Sequence, residues 1–383
     1  CIKWNMYFHT FNTGILKSKS AFYFLLFALH ALAFWYACTH GNIFTKDSYE
    51  YLNQAFNISQ YSSWYCGNFS ETQVPELYSQ RPPFYGLFIM LVQIVSEKSF
   101  FLLLLQNILS LLNIYILTKI IQLQKIKINP YFIFFALAFF PTQLIYANMI
   151  MSEILLQFFV MIAVYFFLFY INNGMNSQML LFQFSIAAAI LTKPVFIAFP
   201  AFTLLIMFFT PELRRKKLAI YSHLIPVVVI LLVSLNNFKN TGYFEYSSIA
   251  RKLSVNYNAF YSSAFNNGEA NAVAEIENLE KEAMLQPTYA AKAQILQSGA
   301  GKIIGLNLDA FTILTIKGFS NFFIDHSRYD IDLISGKSPL KNSGWKAAWK
   351  MSGWKGVVDW INSLNPVYFI YLTLSIIFNI ILL

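Results

Sequence analysis

Four ionisable side chains stand where apolar runs give way to polar sequence, and their types suit one kind of chemistry. Asp47 lies in Thr45-Lys46-Asp47-Ser48-Tyr49-Glu50-Tyr51, and Arg81 opens Arg81-Pro82-Pro83-Phe84-Tyr85. Glu153 sits in Met151-Ser152-Glu153, and Lys193 in Leu191-Thr192-Lys193-Pro194. A carboxylate can take the proton of a hydroxyl that is becoming a nucleophile. Cations stabilise charge on a departing phosphate, Arg through a two-pronged contact and Lys as a point charge. Two acids and two cations therefore fit transfer of a sugar from a lipid phosphate, which stays at the membrane interface.

Each residue also has a plain structural reading. Asp47 could cap a helix over 49–56, and Glu153 could begin a helix whose dipole favours an acid there. Lys193 could snorkel beside Pro194, and Arg81 could anchor headgroups. Joint placement at the ends of different apolar runs favours the functional reading, because charge at membrane depth is costly and marks functional paths.

The elements that must position these groups are apolar runs of bilayer length. Of 383 residues, 57% are hydrophobic and 12% charged, half the ~25% charge of ordinary soluble domains. Crossing the hydrocarbon core takes roughly 20 helical residues, and the aromatic excess suits interfacial positions. The sequence predicts spans over 21–38, 100–121, 131–146, 154–170, 179–191, 195–209, 218–235 and 366–383. The run 84–95 is too short to cross, so it reads as a re-entrant or interfacial helix started by Pro82-Pro83.

Charge sets the orientation. Lys3, Lys17 and Lys19, then Lys119, Lys125 and Lys127, then Arg214, Arg215, Lys216 and Lys217 form three groups beside apolar runs. With Glu212 as their only acidic neighbour, they account for the whole net charge of +9, and the remaining basic and acidic residues cancel. This is the positive-inside pattern, which argues against a nucleic-acid partner. It puts all four chemistry-bearing residues on the opposite, outer face. Three parts follow: 1–238 with a first outer loop at 39–99, an outer helical segment at 239–365, and a terminal span at 366–383. Within the outer segment, helices are predicted at 274–285 and 289–296 around Pro287. Trp345, Lys346, Trp349 and Lys350 suggest an interfacial amphipathic helix.

The ordered motifs resemble the GT-C superfamily of membrane glycosyltransferases, in the branch that includes protein O-mannosyltransferases and aminoarabinose transferases. The features are the acidic first outer loop Asp47-Ser48-Tyr49-Glu50-Tyr51-Leu52, Arg81-Pro82-Pro83-Phe84-Tyr85, Ser152-Glu153 and Thr192-Lys193-Pro194. After the seventh span comes Asn236-Asn237-Phe238-Lys239-Asn240-Thr241-Gly242-Tyr243-Phe244. The resemblance implies an all-α polytopic membrane protein, a GT-C module of about seven to eight spans with re-entrant helices and a small helical outer segment. It implies Asp47 and Glu153 as catalytic acids, with Arg81, Lys193, Glu50, Tyr85, Tyr49 and Asn237 binding substrate. The implied reaction is an inverting transfer from a polyprenyl-phosphate sugar to a hydroxyl of a protein, lipid or glycan. By the same resemblance the setting is a bacterial inner membrane with the site facing the periplasm. Two departures stand out: Asn236 occupies a position where the family usually has Arg, and members often have more spans. No cofactor is certain, and a divalent cation is not expected.

Other classes remain as alternatives. A transporter or lipid flippase would place charges near the midplane and show repeats; a non-catalytic membrane subunit would keep only the fold. Asp325, His326, Asp330 and Asp332 read as a solvated loop rather than a cation site. His30, alone in mid-span, reads as a packing or hydrogen-bonding residue. Cys1, Cys38 and Cys66 lack metal-ligand spacing, and a Cys38–Cys66 disulfide or two free thiols both fit. Asn57-Ile58-Ser59 and Asn68-Phe69-Ser70 match the glycosylation sequon.

Overall fold

The computed structural model describes residues 19–40, 43–139, 141–210, 217–324, 345–363 and Thr373. Cys1, Lys3, Lys17, the basic residues Arg214, Arg215 and Lys216, the group from Asp325 to Asp332, and all of 366–383 except Thr373 lie outside the described residues. Among those described, every regular element is helical and there is no strand.

The helices are α1 (Lys19–His40), α2 (Lys46–Tyr61), α3 (Phe84–Val95), α4 (Ser99–Leu123), α5 (Pro130–Phe139), α6 (Thr142–Ala147), α7 (Glu153–Asn173), α8 (Asn176–Thr192) and α9 (Phe199–Phe209). Then come α10 (Lys217–Ser222) and α11 (Leu224–Thr241). Among the described residues four helices are long and apolar enough to cross a membrane: Ser20–His40, Ser99–Leu123, Glu153–Asn173 and Ile220–Thr241, the last joining α10 to α11. A fifth is reached only if the pair Tyr289–Leu306 and Leu308–Ser320, bent by 92°, is taken as one. The count of seven to eight spans is thus not met among the described residues. The helices at the other predicted spans are shorter, and α8, with 17 residues, reaches about 25 Å at 1.5 Å per residue.

One predicted span is broken. The run 131–146 divides into α5 and α6 around Pro141, which lacks an amide proton and cannot continue the ladder. Carbonyls freed beyond α6 need partners at membrane depth, and α4 provides them. Gln106 Nε2 donates to the Met149 carbonyl at 2.7 Å, and Asn107 Nδ2 to the Ala147 carbonyl at 3.3 Å and to the side-chain oxygen of Asn148 at 2.9 Å. Asn148 Nδ2 in turn donates to the Leu144 carbonyl. α7 and α8 form a tight hairpin, closed where Gly174 takes a left-handed φ of 71° and its amide caps Tyr170.

Two apolar clusters flank the region of interest. Tyr51, Ala55, Tyr85 and Ile89 of α2 and α3 pack with Leu102, Leu103, Ile150 and Leu155. Phe182, Ile186 and Ile190 of α8 pack with Ala163, Met207, Val233 and Tyr246. A side chain at Gly86 would collide with Gln54, so glycine there lets α3 lie close against α2.

Beyond α11 the chain forms α12 (Ser248–Leu253), a π-helical turn at Ser254–Ala259, α13 (Phe260–Asn267), α14 (Glu269–Met284), α15 (Tyr289–Leu306) and α16 (Leu308–Ile324). The predicted helices 274–285 and 289–296 are both longer than expected, and Thr288 caps the second by accepting from the Ala291 amide. Val255, Ala259, Ile276, Leu279, Ala300 and Ile303 form their core. The Trp-rich helix, α17 (Trp345–Ser363), kinks at Ser352 and Gly353.

Candidate functional site

The site is built on α2, whose start is fixed by hydroxyls. Thr45 Oγ1 accepts from the Ser48 amide while Ser48 Oγ accepts from the Thr45 amide at 2.8 Å, a reciprocal cap. The helix therefore begins at Lys46, and capping belongs to Thr45 rather than Asp47. Asp47 falls in the first turn, with its carboxylate not used in the cap. The same end of α2 is stitched to the turn before α7. The Ile150 amide donates to the Ile43 carbonyl at 2.9 Å, and Ser48 Oγ donates to the Ile150 carbonyl at 2.8 Å. Tyr51 Oη and Ser152 Oγ lie 3.0 Å apart. Residues a hundred positions apart are thereby held side by side.

Arg81 joins the two acids of α2. Its Nη2 lies 2.7 Å from Asp47 Oδ1 and its Nε 2.5 Å from Glu50 Oε2. Gln54 donates to the Arg81 carbonyl at 2.9 Å and fixes the backbone beneath. The guanidinium lies over the Tyr51 ring, 5.1 Å from its centroid. Its side chain is only 8% exposed, whereas that of Asp47 is 39% exposed. Burial opposes the Arg81 charge, and Tyr51, Glu50 and Asp47 outweigh it, so its pKa stands above the ordinary arginine value. Asp47 thus has solvent access that Arg81 lacks.

The second pair lies on the far side of Tyr51. Glu153 opens α7, as its helix-start reading expects, and its Oε1 also receives Lys193 Nζ at 2.5 Å. Lys193 follows α8 and precedes the Pro194–Phe196 turn, so Pro194 bends it back towards α7. Its charge meets a carboxylate instead of reaching for headgroups. Tyr51 is in electrostatic contact with Arg81, Glu153 and Lys193. The four residues singled out by type and spacing form one connected constellation, two ion pairs joined through one tyrosine.

The other expected contacts divide. Glu50 belongs to the Arg81 pair, and Tyr49 is exposed and stacked on Phe44. Tyr85 is fully buried, packs edge-on against Tyr51 at 4.7 Å and donates to Gln106 Oε1, so it supports the site from below. Asn237 uses both amide protons on the carbonyls of Glu245 and Tyr246, which leaves no donor for a ligand. Among the described residues no group of three or more His, Cys, Asp or Glu is arranged to hold a metal.

An apolar crevice of about 130 Å³ lies between α7, α8 and α9, lined by Phe167, Ile186, Phe196, Phe199 and Phe202 among others. Phe196 stands three residues after Lys193 in the sequence.

A second charged cluster escaped the sequence reading. Arg251, 4% exposed, directs Nη2 to Glu245 at 3.4 Å, Glu76 at 3.5 Å and Tyr289 Oη at 2.5 Å. Tyr289 and Ser79 both donate to Glu245 Oε1. Lys252 Nζ donates to Gln80 Oε1 at 2.5 Å, and Ser247 Oγ to the Gln80 carbonyl at 3.0 Å. The outer helical segment therefore grips the first outer loop at the residues just before Arg81. Burial, with Glu245 nearby, pushes the Tyr289 hydroxyl well above the usual tyrosine range.

The remaining sequence readings resolve simply. Cys38 and Cys66 are free thiols, and Cys66 is buried with Sγ 3.0 Å from the Leu77 carbonyl. His30 bonds the Leu26 carbonyl and Ser110 Oγ, as a hydrogen-bonding residue should. Compared with models of protein families, with curated proteins and with solved structures, the chain finds no match.

Proposed function

We propose that the chain is an inverting glycosyltransferase that moves a sugar from a polyprenyl-phosphate donor to a hydroxyl on the outer face of the membrane. The observation that carries this reading is the pair of carboxylate–cation contacts joined through Tyr51 at the ends of α2, α7 and α8. Asp47 is the general base: one oxygen faces Arg81 and the side chain keeps solvent access. The acceptor oxygen bonds to the anomeric carbon as its proton passes to Asp47. The carbon–oxygen bond to phosphate breaks, and the phosphate leaves with the electron pair. Arg81 and Lys193 exchange part of their carboxylate contacts for phosphate oxygens and stabilise that charge. Glu153 holds Lys193 in register. The apolar crevice that Phe196 helps to line, three residues along the chain from Lys193, would take the isoprenoid chain. Further support comes from placement, because these ion pairs sit at helix ends rather than along the midplane path a transporter needs. The GT-C fold and a bacterial inner membrane with the site on its periplasmic side belong to the same proposal.

The test is transfer of labelled sugar from a polyprenyl-phosphate donor, with donor binding measured separately. Asp47→Asn keeps shape and removes the base, so turnover should fall roughly 10²–10⁴-fold while donor binding persists. Arg81→Ala should weaken donor binding. Near-normal turnover in Asp47→Asn would reassign the base to Glu50 or Glu153, and no transfer by the unaltered protein from any such donor would reject the reading.

A further inference from the structure

Glu153, beyond its contact with Lys193, also lines a cavity that the proposed reaction does not use. A partly open cavity of about 480 Å³ lies between α4, α5, α6 and α7, within the roughly 300–1,000 Å³ range of small-ligand pockets. One end is polar, lined by Glu153, Gln157 and Gln143, and the other is apolar, lined by Ile114, Leu117 and Ile133. Glu153 is the first residue of α7. Leu117 lies six residues from the opposite end of α4, about 9 Å at 1.5 Å per residue. On the orientation read from charge, the cavity is polar at the outer interface and apolar at depth.

The polar end is rigidly held. Ser110 Oγ contacts His30 Nε2 at 2.9 Å and accepts from Gln143 Nε2 at 3.0 Å. Gln143 Nε2 also donates to the Ser110 carbonyl, so both its protons are engaged. Gln143 Oε1 accepts from Gln157 at 3.4 Å, and Gln157 Oε1 accepts from Asn113 at 3.0 Å. This chain crosses α1, α4, α6 and α7. The rim presents the Glu153 carboxylate, already paired with Lys193, and the Gln157 amide, with Thr142 and Tyr146 also lining the cavity, and no cation is among the lining residues.

We infer that this cavity binds a lipid whose headgroup carries hydroxyls and no anionic group. A hydroxyl can both donate to and accept from the Gln157 amide, while a phosphate would shed its water and find no lining cation. The apolar depth takes the hydrocarbon chain.

The full-length protein in neutral-lipid vesicles is photolabelled with a diazirine-bearing monoacylglycerol and, separately, with a lysophosphatidate bearing the same chain. Labelled residues are mapped by mass spectrometry. The monoacylglycerol should label around Leu117, Ile133 and Ala136, roughly tenfold more than the lysophosphatidate, because the phosphate would lose its hydration without meeting a lining cation. Ala136→Trp should abolish that labelling by filling the space, and Gln157→Leu should weaken it while keeping the volume. Equal labelling by both probes, preference for the lysophosphatidate, or labelling that survives Ala136→Trp overturns the inference. The comparison of probes on the unaltered protein decides even if a variant fails to fold.

Discussion

The Arg81 guanidinium lies over the ring of Tyr51, 5.1 Å from its centroid, and the hydroxyl of the same ring reaches Ser152 at 3.0 Å. One side chain thus supports the Asp47–Arg81 pair with its face and the Glu153 turn with its tip. Tyr51→Phe keeps the face and loses the tip, at a stability cost of about 0.5–1.5 kcal/mol for one hydrogen bond. Turnover should fall while donor affinity holds. Tyr51→Leu loses the cation–π contact as well, roughly 0.5–2 kcal/mol more, and donor affinity should fall with it. Thermal unfolding of solubilised protein and donor titration read the two effects separately.

Arg251 holds the outer helical segment to the first loop. Arg251→Met leaves Glu76 and Glu245 facing each other without their buried cation, a change that costs about 3–5 kcal/mol in such pairs. Limited proteolysis should then cut near 241–248 faster than in the unaltered protein. All three contacts converge on a single nitrogen, so Arg251→Lys should recover part of the protection.

Burial pushes the Cys66 thiol up to about 12, while an unfolded thiol titrates near 8.5. Above that lower value the unfolded chain loses a proton that the folded chain keeps, so stability falls as pH rises from about 9 towards 12. Thermal unfolding between pH 7 and 11 should show this loss, and Cys66→Ala should lessen it. At neutral pH a maleimide should modify exposed Cys38 and leave Cys66 intact until the protein is denatured.

Sidedness has a direct test. In a background with Cys1 and Cys38 replaced by serine, single cysteines at Lys46, Lys125, Lys217 and Asn271 are probed with an impermeant maleimide. Positions 46 and 271 should label from one face and 125 and 217 from the other. Labelling of 217 and 271 from the same face would remove the basis for a shared outer site.

Ionisable residues at the margins of apolar runs were legible because such runs make them rare, and Asp47, Arg81, Glu153 and Lys193 do converge. The capping alternative for Asp47 does not hold, because Thr45 and Ser48 on either side of it form the reciprocal cap. The break was signalled inside the run 131–146 by Pro141-Thr142-Gln143, which a reading by overall hydrophobicity passes over; the partners of the carbonyls beyond it, Gln106 and Asn107, come from a different helix. The Arg251 cluster gave no local signal, since Glu76 stands 175 positions away. Long-range polar pairing leaves no periodicity to read.

Asn57 donates to the carbonyls of Tyr65 and Gly67 at 2.7 and 2.8 Å and is almost fully buried. Its amide nitrogen is the atom an N-linked oligosaccharide would occupy, so the sequon at 57–59 is open only while the first loop is unfolded. Produced through a eukaryotic secretory pathway, the protein would carry its own record of maturation: a glycan at Asn57 marks a chain whose loop did not close before the transferase reached it.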